Sequence, residues 1–169
     1  YYELSLRKKS GELAVVSINA HILQNNEGKR TGIEGVMHNI TERKQAEETL
    51  AKERNLLRTL IDCSPECIYV KDTESRFLIA NEALLESFGL TSLEQLVGKT
   101  DFDMHPRDLA EDFYESERLV IEQGQSLINR EEYIIDQQTG ELRWFLSSKV
   151  PFRDSQGTIL GLVGLNRDI

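Results

Sequence analysis

The chain has 169 residues, 39% of them hydrophobic and 29% charged, with a formal net charge of -9. So acidic a composition argues against nucleic acid and anionic membrane as partners, because phosphate binding needs a clustered basic face. The apolar runs are a few residues long, so none spans a bilayer; there is no signal-peptide pattern and no initiating Met, which reads as a cytoplasmic piece of a longer protein.

Residues 1–40 read as three strands. Tyr1 to Lys8 alternates weakly, Lys9-Ser10-Gly11 turns the chain, and Leu13 to Leu23 is rich in Val, Ile and Ala. Asn25-Asn26-Glu27-Gly28 is a second turn built from residues that tolerate positive φ, and Ile33 to Ile40 is the third strand. Such a meander has an apolar face with nothing in its own segment to cover it, and is expected to need a partner in cis or in trans.

Residues 41–61 contain neither Gly nor Pro and are dense in charge, which predicts a helical linker. Thr41 is placed to cap it, with Glu42 at the favourable end of the dipole. Ala46, Leu50, Leu57 and Leu60 fit a heptad seam interrupted by Glu53. Two readings stay open: a helix laying one stripe on its own domain, and a parallel coiled coil in a homodimer.

From Ile68 the pattern builds a complete α+β domain. Ile68–Asp72 and Arg76–Ala80 are short strands, and Asn81 caps a helix, Glu82–Phe88, that Gly89 ends. Thr91 or Ser92 with Glu94 or Gln95 forms a capping box, and Lys99–His105 reads as a loop. Pro106 opens a long helix that Gly124 closes, with Leu109, Phe113, Ser116 and Val120 as its inward stripe. Strands over 127–136, 142–152 and 158–168 complete a five-stranded antiparallel sheet with its helices on one face.

The chain repeats itself. Gly11–Ile40 lies over Gly140–Ile169 without a gap at an offset of 129 residues, so that Gly11, Gly28, Gly32 and Gly35 fall on Gly140, Gly157, Gly161 and Gly164. Matching glycines mark backbone positions rather than general hydrophobicity. The first copy is therefore the last three strands of a module whose complete form is residues 62–169.

That order of elements resembles a PAS domain with its closing PAC strands, as in bacterial multi-domain sensor histidine kinases. The residues that carry the likeness are Ile79-Ala80-Asn81-Glu82-Ala83, Gly98 to Asp103, Gly140-Glu141 with Arg143-Trp144, Val150 to Asp154 with Gly157, and Gly161 to Gly164 running into Arg167-Asp168-Ile169. The resemblance implies a signal-transduction module that binds a small ligand or a partner, dimerises, and passes the change through a helix to a kinase or cyclase output domain. It also implies a relay at the joints, carried here by Asn39, Thr41, Leu50, Leu57 and Asp168. In the first copy Asn39 stands where Asp168 stands in the second, which weakens an ionic tie to the linker.

The family's cofactor motifs are missing. The flavin-adduct sequence Asn-Cys-Arg-Phe-Leu does not occur, and residues 107–123 contain no His to hold a haem, so neither cofactor is expected. Asp101-x-Asp103-x-His105 has ligand chemistry, but the same residues suit a helix N-terminus, and no metal is expected. Cys63 and Cys67 read as reduced thiols, although one helix face could bring them together as a redox pair. No catalytic set appears.

The remaining candidate is the space between the sheet and the long helix, lined by Ile79, Leu84, Phe88, Met104, Leu109, Phe113, Tyr133, Trp144, Leu146 and Leu162. His105, Tyr133, Trp144 and Ser148 are its polar candidates, with Arg143 or Lys149 for an anion. These residues either fill a core or line a ligand pocket. A structural dimerisation or spacer module with a filled core is the alternative function.

Overall fold

The computed structural model describes residues 1–135 and 142–169. The expected strand end at Asp136 and the Gly140-Glu141 turn lie outside the described residues.

The chain divides into two compact units, residues 1–57 and 58–169. In the first, β1 (Tyr2–Arg7), β2 (Leu13–Gln24) and β3 (Arg30–Asn39) form an antiparallel meander in sequence order. Ala14 and Val16 are buried, whereas Leu4, Ile22, Ile33 and Val36 remain exposed. Helix α1 (Thr41–Asp62) starts directly after β3. Its first N–H is not capped by Thr41, as the sequence suggests, but by Asn39: the Thr41 N–H donates to Asn39 Oδ1 at 3.0 Å. The Thr41 hydroxyl donates to the same oxygen at 2.6 Å and accepts from the Val15 N–H at 2.9 Å. Asn39 thus replaces a charge with a hydrogen-bonded clasp. Lys44 adds an ion pair to Glu3 of β1 at 2.7 Å.

In the second unit, β4 (Cys67–Asp72), β5 (Phe77–Ala80), β6 (Leu127–Ile135), β7 (Leu142–Arg153) and β8 (Ile159–Asp168) form an antiparallel sheet in the order β5-β4-β8-β7-β6. Between β5 and β6 run α2 (Glu82–Ser87), a 3-10 turn at Leu93–Gln95, α3 (Asp101–Met104) and α4 (Arg107–Gln123), with α4 packed over β6, β7 and β8. The expected loop therefore holds one helical turn. Thr100-x-x-Asp103 closes it as a capping box, the Thr100 N–H donating to Asp103 Oδ2 at 2.8 Å. Pro106 sits just before α4 rather than inside it, and Gly124 ends α4 in the left-handed region at φ 66°.

The core joins Tyr69, Phe77, Ala80, Leu84, Leu85, Leu96, Val120 and Leu162. Tyr69 crosses β8 at Gly164, where an added Cβ would come within 2.1 Å of the phenol ring. A glycine shared by both copies therefore makes room, in the second, for an aromatic ring beneath the helices.

Asn81 organises the corner where the linker arrives. It is fully buried, its Oδ1 accepts from the Ile68 and Leu84 N–H groups, and its Nδ2 donates to the carbonyls of Ile61 (3.0 Å) and Glu66 (2.8 Å). Arg58 donates to the Ala80 carbonyl at 2.8 Å, and Asp62 accepts from the Glu82 N–H at 3.1 Å. The last turn of α1 is thereby fastened to the start of α2.

Candidate functional site

Side chains alternate across a strand, so register decides which reach the helices. On β4 they are Cys67, Tyr69 and Lys71; on β8, directly opposite, Asn166, Gly164 and Leu162. On β7 they are Phe145, Ser147 and Lys149, and on β6 Glu132 and Ile134. Several of these are polar, and several are fully buried.

Two ion clusters result. Lys71, 1% exposed, donates from Nζ to Asp101 Oδ2 at 2.5 Å and to Glu117 Oε1 at 2.6 Å, with its ammonium over the Phe77 ring. Lys149, 2% exposed, donates to Ser116 Oγ at 2.8 Å and to both oxygens of Glu132 at 2.9 and 3.0 Å. Burial pushes the Glu117 carboxyl above its usual range, against the pull of Lys71. Ser75 is close enough to favour the charged form, yet Glu117 Oε2 has no hydrogen-bond partner. Ser147 Oγ and Asn166 Oδ1 are likewise buried without partners. An orphaned buried polar atom costs about 1–3 kcal/mol, so three of them, on α4 and on two strands of the sheet, call for an explanation.

Glu117 and Asn166 line a cavity of about 50 Å³, walled by Tyr69, Phe77, Phe88, Phe113 and Phe145 and given further polar edges by Asp101, Glu132 and Lys149. One water needs roughly 10–15 Å³ of such space, so a few waters or one compact molecule fit. His105 lines it too, its ring edge-on to Phe88 and Phe113 at 5.3 Å from each. Burial lowers its pKa below 6.5, which favours the neutral imidazole.

Of the pocket residues expected from sequence, Phe88, His105, Phe113 and Leu84 line the cavity. Leu109 and Leu162 are buried elsewhere in the core, and Met104 packs against it. Ile79, Tyr133, Trp144, Leu146 and Ser148 require correction. Ile79 pairs with Val70, and Tyr133 with Trp144, on the opposite face of the sheet, and all three large side chains are about 40% exposed. Leu146 and Ser148 alternate with the buried Phe145, Ser147 and Lys149, and so share that outer face. Ser148 instead serves a bulge in β6, accepting from the N–H of Asn129, whose φ is 53°. Lys149 does reach the cavity, while Arg143 pairs with Asp168 at 2.7 Å at the strand ends. Neither Lys71 nor Glu117 was expected inside. Their signal was slight: Lys71 shares the parity of Tyr69, and Glu117 stands four residues after Phe113 on the inward stripe.

The three ligand-type residues before α4 diverge: Asp101 meets Lys71, Asp103 caps at Thr100, and His105 lies between two phenylalanines. Among the described residues no group of three or more His, Cys, Asp or Glu could hold a metal ion. Cys67 lines the cavity, where burial raises its thiol pKa and keeps it a poor nucleophile, and Cys63 is exposed. No helix is long and apolar enough to cross a membrane.

Comparison with known proteins agrees with this architecture. Residues 61–169 match the family described as PAS fold, and residues 1–42 match PAS domain. The chain belongs to the PAS family, with part of a further PAS copy at its start. It is 32% identical over 130 residues to the virulence sensor protein BvgS of Bordetella pertussis, a match covering 74% of this chain and 10% of BvgS. A diguanylate cyclase of Vibrio cholerae is 31% identical over 103 residues, covering 60% of this chain and 32% of the cyclase. Among solved structures, the Vibrio cholerae VqmA dimer aligns with a TM-score of 0.59 at 32% identity, covering 70% of this chain and 51% of that one. VqmA bound to DPO aligns with the same TM-score at 31% identity, covering 70% and 57%. The chain thus spans about a tenth of the virulence sensor protein that it matches.

Proposed function

We propose that the complete copy is a sensor of a small molecule held in the cavity between its sheet and α4, acting within a longer cytoplasmic signalling protein with a kinase or cyclase output. One observation carries this reading. The two copies keep the same strand register: Phe145 pairs with Asp168 as Val16 pairs with Asn39, and Ser147 with Asn166 as Ile18 with Met37. Lys149 opposite Gly164 corresponds to Ala20 opposite Gly35. Glu132, opposite Phe145, has its counterpart in Leu4, opposite Val16. Four polar positions on the helix-facing side of the second copy's sheet are thus Leu, Ile, Ala and Met in the first. The sheet does not need them polar, and burying charge is expensive unless something uses it.

The relay follows from contiguity. Asn166 lines the cavity two residues before Asp168 on the same strand face, and Leu84 and Phe88 line it from the α2 segment that Asn81 ties to α1. A ligand that shifts either wall moves one end of the module. VqmA, a structural neighbour, has been solved bound to DPO, which supports the reading. The exposed outer face, with Tyr133 against Trp144, supports homodimerisation alongside it.

Thermal denaturation of the 169-residue chain against a metabolite library, with mass spectrometry of small molecules released on unfolding, tests the proposal. A stoichiometric released compound, or a stabiliser whose effect Glu117→Gln or Asn166→Ala abolishes, is expected. A chain that no compound stabilises and that releases nothing leaves a filled-core spacer as the better account.

A further inference from the structure

The chemistry of the cavity restricts what it can hold, and this step rests on the sensing role proposed above. Three carboxylates, Asp101, Glu117 and Glu132, surround the space with two ammonium groups, Lys71 and Lys149. His105 contributes a half-buried ring rather than a third fixed cation. Arg130 reaches Glu132 at 3.9 Å from the exposed side, so the excess of one negative charge holds only for the groups enclosed in the aromatic box.

The two ammonium groups have little left to offer an anion. An ammonium has three donors. Lys149 spends its own on Ser116 Oγ and the two oxygens of Glu132. Lys71 directs two to Asp101 and Glu117 and rests against the Phe77 ring at 4.2 Å. The vacant hydrogen-bonding capacity is of the opposite kind: Glu117 Oε2, on a side chain 1% exposed, and Asn166 Oδ1 are both acceptors without a donor. Ser147 Oγ, which can give or take, does not alter that balance. An anion would meet free acceptors and an excess of carboxylate; a neutral hydrocarbon would leave both acceptors orphaned. A ligand bringing N–H donors and a positive charge satisfies both, and the faces of Phe88, Phe113 and Phe145 suit a cation and its alkyl part.

We propose that the cavity takes a compact organic amine, bound as its ammonium with N–H donors on Glu117 Oε2 and Asn166 Oδ1 and its apolar part among the phenylalanine rings. The space restricts it to a small skeleton. Recognition is by subtraction as much as by contact: the built-in lysines neutralise Asp101 and Glu132 and leave one carboxylate oxygen free for the ligand. The first copy, with Met37 for Asn166 and Ala20 for Lys149, has lost this chemistry.

Three probes of one shape and different charge test this on the full chain at pH 7: isobutylamine, isobutanol and isobutyrate. Titration calorimetry gives affinity, and NMR shifts of the Phe88 and Phe113 rings give location. Isobutylamine is expected to bind at least tenfold more tightly than isobutanol, with no binding of isobutyrate. Glu117→Gln should lower the affinity for the amine at least tenfold and leave that for the alcohol within twofold; Asn166→Ala, at a less buried site, gives a second reading if the first variant does not fold. Binding of the alcohol or the acid at these rings as tightly as the amine overturns the amine assignment and leaves the pocket standing. Silence from all three probes overturns the pocket with it.

Discussion

Lys149 and Ala20 occupy one position in two copies of the same sheet, opposite Gly164 and Gly35, and only the lysine carries a buried charge, held by Glu132. The pair is therefore an addition to the fold rather than part of its frame. Lys149→Ala should destabilise the second unit by up to about 3–5 kcal/mol, because Glu132 loses its buried partner and keeps only the half-exposed Arg130 at 3.9 Å. Lys149→Ala combined with Glu132→Leu, which restores the first copy's pair of residues, should recover most of that loss. Chemical denaturation of the four chains of the cycle measures it. If the double variant is as unstable as the single one, the ion pair belongs to the scaffold.

Trp144 gives a spectroscopic test of the sheet's two faces. It is 43% exposed on the side away from the helices, its ring 5.3 Å from that of Tyr133. As the chain's sole Trp, its emission should be that of a solvated indole, quenched readily by acrylamide, and a molecule entering the cavity should leave the quenching unchanged. Trp144→Ala should cost about 0.2–1 kcal/mol, the range of a cross-strand pair rather than of a core aromatic. A blue-shifted, protected emission would return Trp144 to the inner face.

His105 makes stability depend on pH with a defined sign. Burial among Phe88 and Phe113 lowers its pKa below the ordinary 6.5, although the Asp101 carboxylate opposes the shift. In the window below 6.5 the unfolded chain binds a proton that the folded chain refuses, so stability falls as pH falls through that window. Glu117 acts with the opposite slope. Its raised pKa lets the folded chain hold a proton above 4.5 that the unfolded chain has released, and stability there falls as pH rises. His105→Phe, which keeps a ring between the same neighbours, should remove the loss on the acid side of 6.5 while the slope due to Glu117 persists. Melting temperatures over pH 4 to 8 compare the two chains; identical profiles would show that His105 titrates in the folded chain just as it does in the unfolded one.

Leu50, Leu57 and Leu60 are each at least 60% exposed along α1. If they form the seam of a dimer, Leu50→Lys with Leu57→Lys should shift the chain from dimer to monomer in sedimentation and leave the melting of the second unit within about 0.5 kcal/mol of the original, as for surface substitutions generally. A dimer that survives both changes would assign association to the outer face of the sheet instead.

The sequence made the frame readable because backbone-determined residues fix it. Asn81 and Gly124 mark helix ends, the shared glycines mark the repeat, and Thr41 to Asp62 has no breaker. The capping turn at Thr100 was hidden because Asp103 rather than Glu closes its box. The site was harder. Trp144, Phe145 and Leu146 are apolar on both parities of β7, so Lys149 decides the phase. Ordinary alternation turns a lysine to water and thus puts Trp144 and Leu146 inside. Glu132, on the neighbouring strand β6, reverses that choice by supplying the lysine with a buried partner. Polar groups that satisfy one another between elements leave no periodic trace, and Lys71 on β4 with Glu117 on α4 is a second case.

The central claim is that the polar cavity of the second copy is an open site. A crystal structure of the chain at a resolution that places waters tests it most directly. The account predicts ordered waters or a bound small molecule within hydrogen-bond distance of both Glu117 Oε2 and Asn166 Oδ1. A closed space, with Glu117 turned onto Ser75 and the phenylalanine rings in contact across it, would contradict it.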